Sequence, residues 1–231
     1  MKKVVICSNM LDEADTDLPG WVANMRRLTN TGIIVVNGGS VDGTKMILER
    51  NDVIVVTDNI IHREGYGPAR NHLRALAREH YPDADWMCFF DADERVVDED
   101  VFTFWSLAEY LREDLIDVIA FPRIDWIDFE MTKSQNNIYI TPDPQGRMTR
   151  LDSDLIYYRK IHEQIDRFRG IYFKLSNPKI NHFHQPTTQN KRDRIGKLCA
   201  YLHSIDEEHG KSYPKHKKED LYYKRYLEEG I

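Results

Sequence analysis

Trp86-Met87-Cys88-Phe89-Phe90-Asp91-Ala92-Asp93-Glu94 is the stretch on which the reading of this chain turns. An unbroken apolar run meets an acidic cluster. Such a run, with charged turn residues after it, reads as a strand buried on both faces of a parallel sheet. Strands of that kind end at a ligand crevice outside their carboxyl ends. Asp91 and Asp93 are two apart, so on extended backbone their side chains point the same way. Two carboxylates on one side of a strand end suit a divalent cation held by oxygen ligands. The plain alternative is an ordinary acidic turn. Chance supplies on the order of one Asp-x-Asp in a chain of this length, so the surroundings must decide.

Toward the N-terminus, strand and helix alternate. Val4–Ser8 reads as a strand. Leu18–Asn30 reads as a helix, with Trp21, Val22, Met25 and Leu28 at helical spacing. Gly32–Asn37 is a second buried strand, Gly43–Arg50 a short helix and Asp52–Asp58 a third strand. Pro68–Glu79 is a helix that opens on a proline, where the missing N–H costs nothing. Repeated βα units imply a parallel sheet with right-handed crossovers. Residues 1 to about 95 thus read as a nucleotide-binding half on Rossmann-like rules. Three loops fall at carboxyl ends of its strands: Ser8–Glu13, Asn37–Thr44 and Asp91–Glu94. The second is rich in glycine and hydroxyls, so its N–H groups could receive an anion or a ribose. A tight turn capped by Asp42 or Thr44 explains the same glycines.

Toward the C-terminus the pattern is less regular. Val101–Arg112 reads as a helix, and Val118–Phe121 as a strand stopped by Pro122. The aromatic and acidic stretch Asp125–Glu130 follows; its Trp126 and Phe129 read as core rather than as a sugar platform. Residues 132–147, with Asn136, Asn137, Pro142, Pro144 and Gly146, predict a mobile loop. Leu155–Arg159, Ile171–Lys174 and Ile180–Phe183 read as short strands, and Lys191–Glu208 as an amphipathic helix. Residues 206–231 read as a charged, tyrosine-rich helical tail.

The chain has 231 residues, 41% hydrophobic and 30% charged, enough for one domain with a real core. It lacks the run of about 18 apolar residues that a membrane span needs. Its start is too short and too quickly polar for a signal peptide. The three cysteines, Cys7, Cys88 and Cys199, are far apart and odd in number. They read as free thiols in a reducing, cytoplasmic compartment. A net charge of −6 argues against general affinity for nucleic acid, although the tail holds Lys211, Lys215, Lys217 and Lys218.

Taken together, these landmarks resemble the family 2 glycosyltransferases, which have the GT-A fold. Asn37-Gly38-Gly39-Ser40-Val41-Asp42-Gly43-Thr44 resembles the family's Asp-Asp-Gly-Ser-Thr-Asp-Gly-Thr signature. Gly65-Tyr66-Gly67-Pro68-Ala69-Arg70-Asn71 resembles its Gly-x-x-x-Ala-Arg-Asn segment, and Asp91-Ala92-Asp93 its Asp-x-Asp metal motif. Arg150-Leu151, Tyr158, Ile161-His162-Glu163 and Ile180-Asn181-His182 resemble a sub-branch that includes lipopolysaccharide-core glucosyltransferases. The resemblance covers residues 1–205, with a nucleotide-sugar half over 1–95 and an acceptor half over 96–205.

What the resemblance implies is specific. A nucleoside-diphosphate sugar, with UDP favoured, would lie against Ser8, Asn9, Asn37, Gly39, Ser40, Arg70, Asp91 and Ala92. Asn37 would face the base and Arg70 the nucleotide. Mn²⁺ or Mg²⁺ would be held by Asp93, Asp91 and His182, with His184 as the rival histidine. Glu163 would be the general base of an inverting transfer to a hydroxyl acceptor, with His162 as its competitor. If Glu163 is not the base, its expected partner is Arg159 or Arg167 at the surface. Two departures stand out. Asn37 replaces the usual Asp, so its amide can donate as well as accept, and Gly38 replaces a second acidic residue. In the first loop, Asn9 and Glu13 compete for the family's Asn-Glu. The rival functions are a non-catalytic sugar-nucleotide or glycan-binding module and a nucleotidylyltransferase. The latter wants a basic, glycine-rich first loop, which Ser8–Glu13 is not.

Overall fold

Val4–Cys7 and Ile33–Val36 have no polar face, and the structure buries both on two sides. The computed structural model describes residues 1–110, 115–127, 131, 134, 143–183 and 189–205. Its first half runs β1 (Val4–Met10), α1 (Leu18–Arg26), β2 (Gly32–Asn37), α2 (Thr44–Arg50), β3 (Ile54–Thr57), α3 (Ile60–Glu64), α4 (Tyr66–His80) and β4 (Trp86–Phe89). The second half adds β5 (Glu94–Arg95), α5 (Asp98–Tyr110), β6 (Ile116–Trp126), β7 (Asp143–Arg150), β8 (Ile156–Tyr158) and β9 (Gln164–Asp166). It closes with β10 (Ile171–Lys174), β11 (Ile180–Phe183) and α6 (Gln189–Ile205).

Among the described residues, nine strands form one sheet in the order β3-β2-β1-β4-β7-β6-β11-β5, with β10 also beside β6. The pairs β1–β2, β1–β4 and β2–β3 are parallel, as the βα alternation requires. Side chains alternate between two cores. Val4, Ile6, Val35, Trp86 and Cys88 pack with Trp21 of α1 and Phe104 of α5. Val5, Cys7, Ile34, Met87 and Phe89 pack with Leu73 and Ala77 of α4. Asp17 starts α1 by accepting the Gly20 N–H at 3.0 Å. All three cysteines are free, Cys7 and Cys88 fully buried. Among the described residues no helix is long and apolar enough to cross a membrane.

Two expectations need correction. Pro122 does not stop a strand, because β6 runs from Ile116 to Trp126. Proline is tolerated there because β10 pairs with β6 only up to Ala120 and β11 only from Arg123. On the other side Pro122 faces Pro144, and neither has an N–H to offer. The second correction concerns 132–147. Its last part is strand β7, set antiparallel between β4 and β6. Gly146 belongs there for want of space, since a Cβ would stand 2.9 Å from Tyr172 Oη and 3.0 Å from Ile165 Cδ1. The rest of the predicted loop, apart from Ser134, lies outside the described residues, as do Asp128, Phe129, His184 and the tail 206–231.

Candidate active site

The carboxyl ends of β1, β2 and β4 lie side by side, and the first two loops are laced together. Asp12, in the left-handed region at φ 52°, accepts the Val41 N–H at 2.9 Å, and its own N–H donates to Ser40 Oγ at 2.8 Å. The Glu13 N–H donates to Thr44 Oγ1 at 2.7 Å, and the Ala14 N–H to Asp42 at 2.8 Å. Asn37 Oδ1 accepts from Gly39 at 2.8 Å and Ser40 at 2.7 Å. The Gly38 N–H donates to Met10 O. These N–H groups are committed within the protein, so the loop is built as a tight turn and not as an anion nest. What it leaves buried without a partner is Asn37 Nδ2, together with Ser8 Oγ and both side-chain polar atoms of Asn9. Buried polar atoms without partners call for an explanation, and a group of them at the carboxyl ends of β1 and β2 is suited to a polar ligand. Glu13, the rival of Asn9, contributes its N–H to the lacing.

The acidic turn after β4 is built around Arg147 of β7, a residue that sequence reasoning missed. Its guanidinium is 2% exposed and pairs with Asp91 Oδ2 at 2.6 Å and with the fully buried Glu94. Glu94 also accepts the Asp91 N–H at 3.0 Å. Burial pushes the Asp91 carboxyl up, but Arg147, then Arg70 and His182, outweigh it and hold it below the usual range. For Glu94 burial wins, and Asp91 adds to it, so its pKa is raised. Arg147 is held charged by the two carboxylates against the pull of burial. Asp91 is therefore engaged with Arg147, while Asp93 points elsewhere. The Ala92 carbonyl accepts from Arg95 at 2.8 Å, and the Asp91 carbonyl from Trp21 Nε1 at 2.9 Å.

His182 meets Asp93 through strand pairing. In β11 it lies opposite Asp125 of β6 and Glu94 of β5. It donates from Nε2 to Asp93 at 3.1 Å and from Nδ1 to Asp125 at 2.7 Å. Burial would lower its pKa, but the bonds to Asp125 and Asp93 outweigh burial and raise it to about 10. Asp93 and His182 could hold a divalent cation once the Nε2 proton leaves, with Asp125 orienting the ring from behind. Among the described residues no group of three or more His, Cys, Asp or Glu forms a cage. Two protein donors would suit Mn²⁺ or Mg²⁺ only if a diphosphate and water supplied the other ligands.

Arg70, Asn71 and Glu163 come together around α4. Asn71 grips β8 twice, donating to Tyr157 O at 2.6 Å and accepting the Tyr157 N–H at 2.8 Å. Glu163 forms an ion pair with Arg70, not with Arg159 or Arg167. Arg70 lies 3.9 Å over the Phe89 ring. His162 is exposed, at φ 50°, with its ring 5.4 Å from that of His203 in α6. The two neighbours thus reach different surroundings, and Glu163 is the one beside Arg70. Trp126 donates to Asn181 at 2.7 Å.

Comparison with known proteins gives the family and the fold. The family model described as "Glycosyl transferase family 2" matches residues 18–210. The chain belongs to glycosyl transferase family 2. No curated protein matches it. S. aureus TarS aligns over 98% of the chain with a TM-score of 0.51 and 14% identity, and its 1–349 fragment with 0.50 and 14%. The chain spans 48% of TarS and 79% of that fragment. This family 2 protein has the GT-A fold: mixed α/β, with a mostly parallel central sheet. Glucosyl-3-phosphoglycerate synthase from Mycobacterium tuberculosis, crystallised with Mn²⁺, UDP and glucosyl-3-phosphoglycerate, aligns over 54% of this chain and 44% of its own. At 19% identity and a TM-score of 0.40, that likeness carries no argument.

Proposed function

We propose that the protein transfers a sugar from a nucleoside-diphosphate sugar, with UDP favoured, to a hydroxyl acceptor with inversion of the anomeric carbon. The observation that carries this reading is the Asp93–His182–Asp125 array, in the same sheet as β1 and β2, whose carboxyl ends hold the unpartnered polar atoms of Ser8, Asn9 and Asn37. A divalent cation on Asp93 and His182, Mn²⁺ or Mg²⁺, would supply Lewis-acid stabilisation of the departing nucleoside diphosphate. Asp91, neutralised by Arg147, is suited to a ribose hydroxyl rather than to the cation. Asn37 offers the base its Nδ2 as a donor, because its oxygen already holds the turn. Residues 1–95 would receive the donor and 96–205 the acceptor. Arg150-Leu151, the Ile161–Glu163 segment and Ile180–His182 support a place beside the lipopolysaccharide-core glucosyltransferases. The free thiols support a cytoplasmic site of action.

In the transfer, the bond from the anomeric carbon to the diphosphate oxygen breaks as the acceptor oxygen bonds to the opposite face. The acceptor's proton goes to Glu163, and the nucleoside diphosphate leaves. A hydroxyl is a poor nucleophile at neutral pH, and a positioned base typically supplies 10²–10⁴-fold. The test is Glu163→Gln, which keeps the size and removes the proton acceptor. Metal and nucleotide binding should persist while kcat falls at least about 100-fold. NMR of the product should show the configuration opposite to the donor's. Retention, or near-parental kcat, would overturn this mechanism.

A further inference from the structure

Arg70 stands between the two substrates' machinery. The N-terminus of α4 is docked on the chain that leaves β8. The Tyr66 N–H donates to Lys160 O at 2.8 Å and the Gly67 N–H to Arg159 O at 3.1 Å. A Cβ at Gly67 would stand 2.4 Å from Arg159 O, and one at Gly65 2.5 Å from Lys160 Cα. Only glycine lets the two backbones approach so closely. With the Asn71 clamp, this makes the Arg70 and Glu163 segments one rigid unit. Their side chains, 11% and 14% exposed, form an ion pair. The same guanidinium stacks on Phe89, two residues before Asp91, and its Nε is buried without a partner.

We propose that Arg70 couples donor binding to release of the base: without nucleotide it occupies the Glu163 carboxylate, and an incoming nucleoside diphosphate takes the guanidinium over. This rests on the assignment of Glu163 as base and of Arg70 to the nucleotide. A carboxylate held by a guanidinium in a nearly closed site is not available to a hydroxyl. Glu163 occupies Arg70 Nη2, so a diphosphate that takes this edge of the planar guanidinium must displace the carboxylate. The incoming diphosphate carries more charge than the carboxylate and competes for the same donors. Because coupling is reciprocal, Glu163 opposes nucleotide binding as strongly as nucleotide opposes the ion pair. The acceptor hydroxyl is then activated only on the donor-loaded protein, which orders the two substrates.

The competition is read by calorimetry with UDP, GDP, CDP and dTDP, each with Mn²⁺, taking the one that binds the parent most tightly. Glu163→Gln should tighten its Kd by about tenfold, because the nucleotide no longer breaks an ion pair. Arg70→Met should weaken it, and Arg70→Met/Glu163→Gln should match Arg70→Met within about twofold. A merely structural Glu163 would make Glu163→Gln bind more weakly. A Kd that is unchanged or weaker in Glu163→Gln, or tightening that persists beside Arg70→Met, overturns the coupling. An unchanged Kd with kcat lost sinks the coupling and spares the base. A tighter Kd with parental kcat leaves the competition standing and sinks the base. Absence of binding by all four nucleotides refutes the donor reading itself.

Discussion

His182 joins Asp93 at 3.1 Å to Asp125 at 2.7 Å, so one imidazolium bridges two carboxylates, one in the turn between β4 and β5 and one on β6. Its folded-state pKa of about 10 lies above the ordinary 6.5. Its contribution to stability is therefore fully present below about pH 6.5 and is lost as pH rises through about 10. In metal-free protein the parent should melt above His182→Gln at pH 6, and the gap should close by about pH 10.5. A gap that stays constant or widens with pH contradicts the bridge.

Arg147 neutralises a fully buried Glu94 and half-exposed Asp91. Arg147→Met leaves Glu94 buried without a counter-charge, which typically costs about 3–5 kcal/mol. Adding Glu94→Gln removes the stranded charge, so the double variant should recover much of that loss in a urea titration. Equal stability of the single and double variants would place the charge balance elsewhere.

Gly67→Ala drives a methyl group against the Arg159 carbonyl. It should cost about 1–3 kcal/mol, and it should lower kcat through displacement of Glu163. Measuring Tm and kcat together separates the two effects. A Gly67→Ala protein with parental Tm and kcat would show that α4 and the β8 chain are not firmly joined.

Most of the first half was legible because its strands are buried on both faces and therefore read as apolar runs. Gly32–Asn37 has the predicted bounds, and Ile171–Lys174 and Ile180–Phe183 also form as read. The strand β7 was hidden by its composition. Asp143-Pro144-Gln145-Gly146 looks like a turn, and what admits it to a sheet is the lack of room beside Tyr172, a tertiary fact. Arg147 was lost with it. The alternation Arg147-Met148-Thr149-Arg150 was the signal available. The resemblance gave Asp91 to the ribose or the metal and Asp93 to the metal; that Arg147 takes Asp91 and His182 takes Asp93 is something no spacing within the triplet reveals. The glycine-rich loop read equally as an anion or ribose site and as a tight turn, and what decides for the turn includes Asp12, far away in sequence, which takes the Val41 N–H.

Asn37 keeps its oxygen on the Gly39 and Ser40 N–H groups, leaving Nδ2 without a partner and, in the proposed function, for the base. Asn37→Asp would present a second acceptor in its place, matched to the imide N–H of uracil. The affinity ratio of UDP over CDP should rise at least about tenfold, since hydrogen-bond matching discriminates strongly. An unchanged ratio across the nucleotides would make Asn37 a turn residue alone.

The central claim is that nucleotide and divalent cation share one site through Asp93. The most direct measurement is the thermal shift given by the tightest-binding nucleoside diphosphate, with and without Mn²⁺, in the parent and in Asp93→Ala. Nucleotide at 100 times its Kd adds about 2.7 kcal/mol to stability. The account predicts that Mn²⁺ enlarges the shift in the parent, while Asp93→Ala folds normally and keeps only the metal-independent part. The same Mn²⁺-dependent shift in both proteins would contradict it.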